Sequence, residues 1–234
     1  MRVSAGGGEL LLCAAKAAYD PVRRALFVAD VHLGKALGFR SLGVPVPAGT
    51  TALTLARLDR LLAEHHAQHL FVLGDLLHGP AVRDSGVIEQ LMLWRQRHAC
   101  VQMVLVRGNH DDRAGDPPAR CGIEVVAEGF RLGPWELRHE VRRLQPLKED
   151  CPETAGEHQP ADRFVLSGHV HPVYRLRGRA DNVRLPAFLF RRHDAILPAF
   201  GEFTGGFAVA PAFADRMFVT DGEKVREVRG AGLK

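Results

Sequence analysis

Five short groups of metal-ligand residue types punctuate the chain: Asp30-Val31-His32, Gly74-Asp75, Gly108-Asn109-His110-Asp111-Asp112, His139, and Gly168-His169-Val170-His171. They offer carboxylate, carboxamide and imidazole donors without a thiolate. That set suits manganese, iron, zinc or cobalt better than copper(I) or an all-oxygen calcium cage. The donors are Asp30, His32, Asp75, Asn109, His139, His169 and His171, with His110 left over. One carboxylate shared between two ions, with three further ligands on each, uses them all, so the pattern reads as a two-metal site. His158 competes with His139 for one position, but it lies in a polar stretch with no strand to hold it.

Two divalent ions set against Asp30, Asp75 and a bridging hydroxide leave the inner shell near +1, and a centre of that charge attracts phosphate esters. Ions about 3.5–4 Å apart can hold a hydroxide between them and clamp the phosphoryl oxygens during in-line displacement. His110, beside a ligand but not needed as one, is placed to protonate the departing oxygen.

Apolar runs of strand length bring these distant positions together. Ala25 to Ala29, Leu70 to Leu73, Val101 to Val106 and Phe164 to Leu166 each end at one of the groups. In α/β proteins ligands bind beyond the carboxyl ends of strands, which puts the side chains in one crevice. Strand alternation turns Asp30 and His32 to one side with Val31 packed behind. Gly108 supplies a sharp turn, and Asp111 and Asp112 follow as a local carboxylate pair.

Leu33 to Ala48 reads as a loop carrying Lys35 and Arg40. Thr50 or Thr51 then caps a helix reaching about His66, with Leu55, Leu58 and Leu62 on its buried stripe. Asp84 or Ser85 caps a second helix that buries Val87, Leu91 and Trp94, which completes a βαβαβ unit. Leu10 to Ala15 is an earlier strand and Tyr19-Asp20-Pro21 a turn. Downstream, Ile123 to Val126, Trp135 to His139, Val173 to Leu176, Ala187 to Phe190, Ala195 to Leu197 and Met217 to Val219 predict a second sheet packed on the first. Arg142 to Asp162 is polar and reads as a mobile surface loop. The Glu64-His65-His66-His69 group, at a helix end, reads as a solvated face.

At 234 residues, 46% hydrophobic and 25% charged, the chain can bury one substantial core, and a single domain over residues 1–234 is expected. The net charge of +4 fits an anionic partner. Lys16 cuts the apolar run Leu10 to Ala15 too short for a membrane span. Cys13, Cys100, Cys121 and Cys151 form no C-x-x-C pair, which argues against a zinc ribbon or a disulfide framework and fits a reducing cytoplasm.

Taken in order, Asp30-x-His32, Gly74-Asp75, Gly108-Asn109-His110-Asp111, His139 and Gly168-His169-x-His171 resemble the calcineurin-like metallophosphoesterases. The resemblance implies an α/β fold, a two-sheet β-sandwich flanked by helices. It also implies one ion on Asp30, His32, Asp75 and His171, and a second bridged by Asp75 and held by Asn109, His139 and His169. Arg138 stands where the family often has glycine before the fourth-motif histidine. Val31-His32-Leu33-Gly34-Lys35, Gly74-Asp75-Leu76-Leu77-His78, His139-Glu140 and the run from Leu197 to Gly206 are similar to the ligase-associated DNA damage response endonuclease branch, the PdeM type. That likeness implies a bacterial manganese-dependent DNA endonuclease or phosphodiesterase working beside a DNA ligase and a helicase.

Lys35, Arg40, Arg113, Arg142, Arg143, Lys148, Arg191 and Arg192 can track a nucleic-acid backbone, and His78 can line the site. No aromatic-rich platform for single strands stands out. The alternatives are a phosphatase or cyclic-nucleotide diesterase using the same metals, and a metal-bound scaffold without catalysis, against which the intact His110 argues.

Overall fold

Three neighbouring parallel strands carry apolar side chains on both faces, so each face must be covered by another layer. In β4 (Ala25–Ala29), Leu26 and Val28 face one way while Ala25, Phe27 and Ala29 face the other. The same alternation runs through β5 (His69–Leu73) and β6 (Gln102–Val106). These strands sit inside a seven-stranded sheet that begins with β1 (Arg2–Ala5), β2 (Gly8–Cys13) and β3 (Ala17–Asp20) and ends with β7 (Ile123–Val126). The computed structural model describes residues 1–41, 43–47, 49–82, 85–141, 163–177, 182–229 and 232–233.

Helices cover one face. α2 (Thr50–His65) presents Leu55, Leu58 and Leu62, and α3 (Val87–Arg97) presents Val87, Leu91 and Trp94, all buried against that side of the sheet. The other face meets a second sheet. Among the described residues it is built from β8 (Phe130–Leu132), β9 (Trp135–Leu137), β10 (Phe164–Ser167), β11 (Pro172–Arg177), β12 (Asn182–Phe190), β13 (Asp194–Ile196), β14 (Phe207–Ala208), β15 (Arg216–Thr220), β16 (Val225–Arg229) and β17 (Gly232–Leu233). Phe27, Phe71, Trp135, Phe164, Phe188, Phe190 and Phe218 fill the layer between the sheets. The architecture is an α/β two-sheet sandwich in a single domain.

Several local expectations change. Within the stretch read as a loop from Leu33 to Ala48, α1 (Lys35–Ser41) forms, because Ala36 is buried and Leu37 packs on the helix-side core. Neither Thr50 nor Thr51 caps α2; Gly49 takes the N-cap position, and Thr50 already lies inside the helix. Gly86 precedes α3, with the Ser85 hydroxyl accepting from the Val87 amide at 3.4 Å, while Asp84 lies outside the described residues. Ala17–Asp20 is a strand, not the start of a turn: Tyr19 and Asp20 pair with Leu26 and Ala25 of β4. The stretch Arg142 to Asp162, with Cys151 and His158, lies outside the described residues.

Asp20 also ties the layers together. Its buried carboxylate accepts the Trp135 indole N–H at 2.7 Å, the Arg23 guanidinium at 2.9 Å, and the Val22 and Arg23 amides at 2.9 and 3.0 Å. Burial opposes its charge, yet the Trp135 and Arg23 donors hold the carboxyl below its ordinary pKa. A depressed pKa means that this stability is present above the unfolded value of about 3.9 and is lost as pH falls through the folded one. Asp20→Ala leaves a buried indole N–H without its acceptor. It is expected to lower the unfolding free energy at neutral pH by about 1–3 kcal/mol, seen as a lower urea midpoint, and the deficit should narrow in acid.

Candidate metal centre

Strand register decides which residues meet. Ala29 lies opposite Leu73 and Leu73 opposite Val106, so the three parallel strands end level, and Asp30, Gly74-Asp75 and Gly108-Asn109 emerge side by side. In the second sheet Leu137 lies opposite Leu166, which brings His139 level with Gly168-His169. The two edges are joined directly. The His169 amide donates across them to both Asp30 oxygens at 2.9 and 3.1 Å, while within the second sheet the Gly168 amide donates to the His139 carbonyl at 3.0 Å.

All seven candidate ligands converge there. On one side, His32 Nε2 lies 3.3 Å from His171 Nε2, which is 3.3 Å from Asp30 Oδ1. On the other, His139 Nε2 is 3.0 Å from Asn109 Oδ1 and 3.1 Å from His169 Nδ1. Asp75 stands between them: its Oδ2 is 3.6 Å from His32 Nε2 and its Oδ1 is 3.6 Å from His139 Nε2. Asp30, His32, Asp75 and His139 are buried.

Hydrogen bonds at the outer ring nitrogens fix which imidazole atoms can ligate. His139 Nδ1–H donates to the Leu73 carbonyl at 3.1 Å and His171 Nδ1–H to the Thr204 carbonyl at 3.0 Å. A carbonyl can only accept, so each Nδ1 carries a proton and Nε2 is the nitrogen turned to the crevice, free to ligate once that ring is neutral. Burial pushes the His32 pKa far below the ordinary imidazole value and raises that of Asp75. At His171 burial is outweighed by Asp30, which shifts that pKa upward, so the enclosure holds a neutral His32 and a carboxylate that lacks full compensation, which fits divalent cations.

Residues 23–153 match the family model for calcineurin-like phosphoesterases, more than half of the chain. The chain belongs to the calcineurin-like phosphoesterase family. As a member it is a metal-dependent phosphoesterase, and the family implies divalent ions. Among solved structures, the nuclease MPE of Pseudomonas putida is 44% identical, with a TM-score of 0.79 over 97% of this chain and 99% of that one. Yfce, a phosphoesterase from E. coli, is 19% identical with a TM-score of 0.38, covering 87% of this chain and 91% of its own. No curated protein matches the chain.

In this phosphoesterase the segments that carry the candidate ligands reach their geometry by routes other than those expected. Asp30 and His32 are not in extended alternation, since β4 stops at Ala29 and both residues have positive φ, 53° and 48°. Asp75, His169 and His171 share the left-handed region at 54°, 67° and 51°. A non-glycine residue held there is strained and persists only where its surroundings over-determine it. Gly108 makes no left-handed turn; its backbone is extended, and glycine is needed because a Cβ would lie 2.4 Å from Asp75 Oδ1. At Gly74, with φ 78°, a Cβ would overlap the His139 ring at 1.9 Å from Nδ1.

The other candidate residues divide. The His110 ring centroid is 5.0 Å from that of His32, and its amide donates to Asp75 Oδ1 at 2.9 Å. His78 stacks on His110, with its Nδ1 3.1 Å from His32 Nδ1, so it lines the site from outside. Lys35 donates to the Thr204 carbonyl at 3.2 Å. Arg40, in the last turn of α1, donates to the Val46 and Pro47 carbonyls of the loop that follows, at 3.4 and 2.7 Å. Arg113 is exposed on α4 (Asn109–Ala114). Arg191 and Arg192 precede β13 at the end of the sheet opposite the site, because β13 runs parallel to β10. Arg142, Arg143, Lys148 and His158 lie outside the described residues. The histidine group at the end of α2 is not uniformly solvated: His65 stacks on Tyr19 with its Nε2 3.2 Å from Cys13 Sγ.

Asp111 and Asp112 are not a pair. Asp112 is exposed toward Arg107, whereas Asp111 is fully buried and accepts the amides of Asp75 at 2.8 Å, Gly108 at 3.0 Å and Leu77 at 3.1 Å. It clamps the loops that follow β5 and β6 together. Burial pushes its pKa up to about 6 against the pull of those three amides. Asp111→Ala would strand buried donors and is expected to cost at least about 2 kcal/mol. Asp112→Ala should stay within about 0.5 kcal/mol of the native protein, and paired denaturation curves check the contrast.

Proposed function

We propose that this phosphoesterase is a two-metal phosphodiesterase that cleaves DNA. The observation that carries the reading is the placement of Asp75, one oxygen toward each donor cluster. Asp30, His32, Asp75 and His171 would hold one ion, and Asp75, Asn109, His139 and His169 the other. Manganese is the proposed metal, from the thiolate-free donor set. Two such ions supply positive charge for the phosphoryl oxygens and a water nucleophile at neutral pH.

The chain's own residues do the rest. Asp111 fixes the loops that carry Asp75 and Asn109, the Leu73 and Thr204 carbonyls hold two imidazoles in ligating orientation, and Lys35 adds a cation beside the crevice. His110, anchored at Asp75 but outside both ligand sets, protonates the leaving oxygen. Nucleic acid as substrate is supported by the 44% identical nuclease. A role in repair beside a ligase and a helicase follows from the sequence resemblance and would appear as co-purification with them. The reducing cytoplasm expected for the protein accords with free thiols at Cys13, Cys100 and Cys121, and no helix among the described residues is long and apolar enough to cross a membrane.

His110→Ala is expected to retain both ions by metal analysis. It should turn over about 10²–10⁴-fold more slowly on esters with poor leaving groups, with a smaller defect for a nitrophenolate leaving group. Chelator-stripped protein should be inactive and recover best with manganese across a panel with iron, zinc and cobalt.

A small-molecule diesterase is the competing reading, favoured by the distance of Arg191 and Arg192 from the site. Cleavage of DNA below saturation should fall steeply with salt, because phosphate contacts release counterions, while a small nitrophenyl diester is little affected. Replacing Arg142 and Arg143 by alanine should weaken only the former reaction. Equal effects on both substrates would establish the small-molecule reading instead.

A further inference from the structure

Beside the metal centre lies a second cleft, of about 190 Å³, that shares His171 with it. Pro172, Pro198 and Phe203 give it apolar walls, and Lys16 and Glu202 give it polar ones. Its volume is below the roughly 300 Å³ at which pockets for whole small ligands begin, so it has room for one ring system.

The loop forming its wall is fixed. The Phe200 and Gly201 amides donate to the Ala29 and Asp30 carbonyls at 2.8 and 3.0 Å, and the Phe207 amide donates to the His171 carbonyl at 2.9 Å. The Thr204 carbonyl takes both His171 Nδ1–H and the Lys35 ammonium. On this anchored loop Phe203 is 46% exposed and held at a φ of 57°. A bulky residue in the left-handed region with its ring unburied gains little for the core, and such strain concentrates at ligand sites.

The polar wall is built unevenly. Glu202 is paired with Arg57 at 2.7 Å, so its charge is answered inside the protein. The Lys16 ammonium donates to the Gly201 carbonyl at 3.2 Å, the one hydrogen bond of that group among the described residues, and an ammonium has three N–H groups. Burial, with Arg57 nearby, lowers the Lys16 pKa to about 8, as expected for an amine short of acceptors.

We propose that this cleft is a nucleobase subsite, which takes the base next to the scissile phosphate with its face on Phe203 and its ring acceptors toward Lys16. The assignment rests on the nucleic-acid reading of the metal centre and adds to it a contact that recognises the base as well as the phosphate. Aromatic stacking tolerates any base, since every base has a π face, so the subsite gives affinity and register with little sequence preference.

The test compares kcat/KM for the two thymidine nitrophenyl phosphodiesters, joined through the 5′ or the 3′ oxygen, with that for methyl nitrophenyl phosphate. In the native protein one thymidine ester should be favoured by about tenfold. Phe203→Ala should remove that preference mainly through KM, and Phe203→Trp should restore it. Independently, with metals removed by chelator, an oligonucleotide carrying 2-aminopurine should be quenched on binding the native and Phe203→Trp proteins but not Phe203→Ala. A preference or a quench that survives Phe203→Ala overturns the subsite, as does native protein that cleaves DNA without preferring either thymidine ester. Failure of the underlying reading looks different: nitrophenyl diesters are hydrolysed but DNA is not.

Discussion

Electron pairs crowd into one buried place, and the rest of the molecule is arranged around that repulsion. Asp30 and Asp75 share an enclosure with the imidazoles of His32, His139 and His171, whose inner nitrogens lie 3.3–3.6 Å from the carboxylate oxygens. Backbone amides answer part of the negative charge, His169 on Asp30 and His110 on Asp75. They do not answer all of it, as the upward shift of Asp75 by burial indicates. Cations of the kind this family carries would turn the repulsion into attraction, and the loops could then remain where register has put them.

Much of the crevice was readable because its candidate ligands stand at the ends of apolar runs. Asp30, Asp75 and Asn109 follow strands whose pairing is level, and the patterns at Ala25 to Ala29, Leu70 to Leu73 and Val101 to Val106 are unambiguous. The groups that orient the ligands were harder to find. Leu73 and Thr204 act through carbonyl oxygens, which every residue possesses, so their side chains carry no signal. Asp111 was visible as a carboxylate beside the motif, but burial separates it from Asp112, and burial is a tertiary property. The short strands Arg2–Ala5 and Ala17–Asp20 have too few residues for period-two patterning to stand out, and pairing with neighbours makes them strands.

Left-handed backbone at five of the seven candidate ligands links stability to chemistry. Each such residue costs on the order of 1–3 kcal/mol, and sheet docking, amide donors and the Asp111 clamp offset that cost. The return is density of function. A tight turn directly after a strand aims a side chain back across the strand end, so His171 of the second sheet comes within 3.3 Å of both His32 and Asp30 of the first.

His169 and Asp30 are separated by 139 residues of chain, and that separation constrains the order of folding. Neither sheet alone presents a complete donor set: Asp30, His32, Asp75 and Asn109 belong to the first, and His139, His169 and His171 to the second. Loop closure over such a span comes late and slowly, so the site is born only when the layers dock. A bound ion would therefore act as a latch on the docked state, shifting the balance toward it by mass action. Release of the ion would then register parting of the sheets before either sheet unravels.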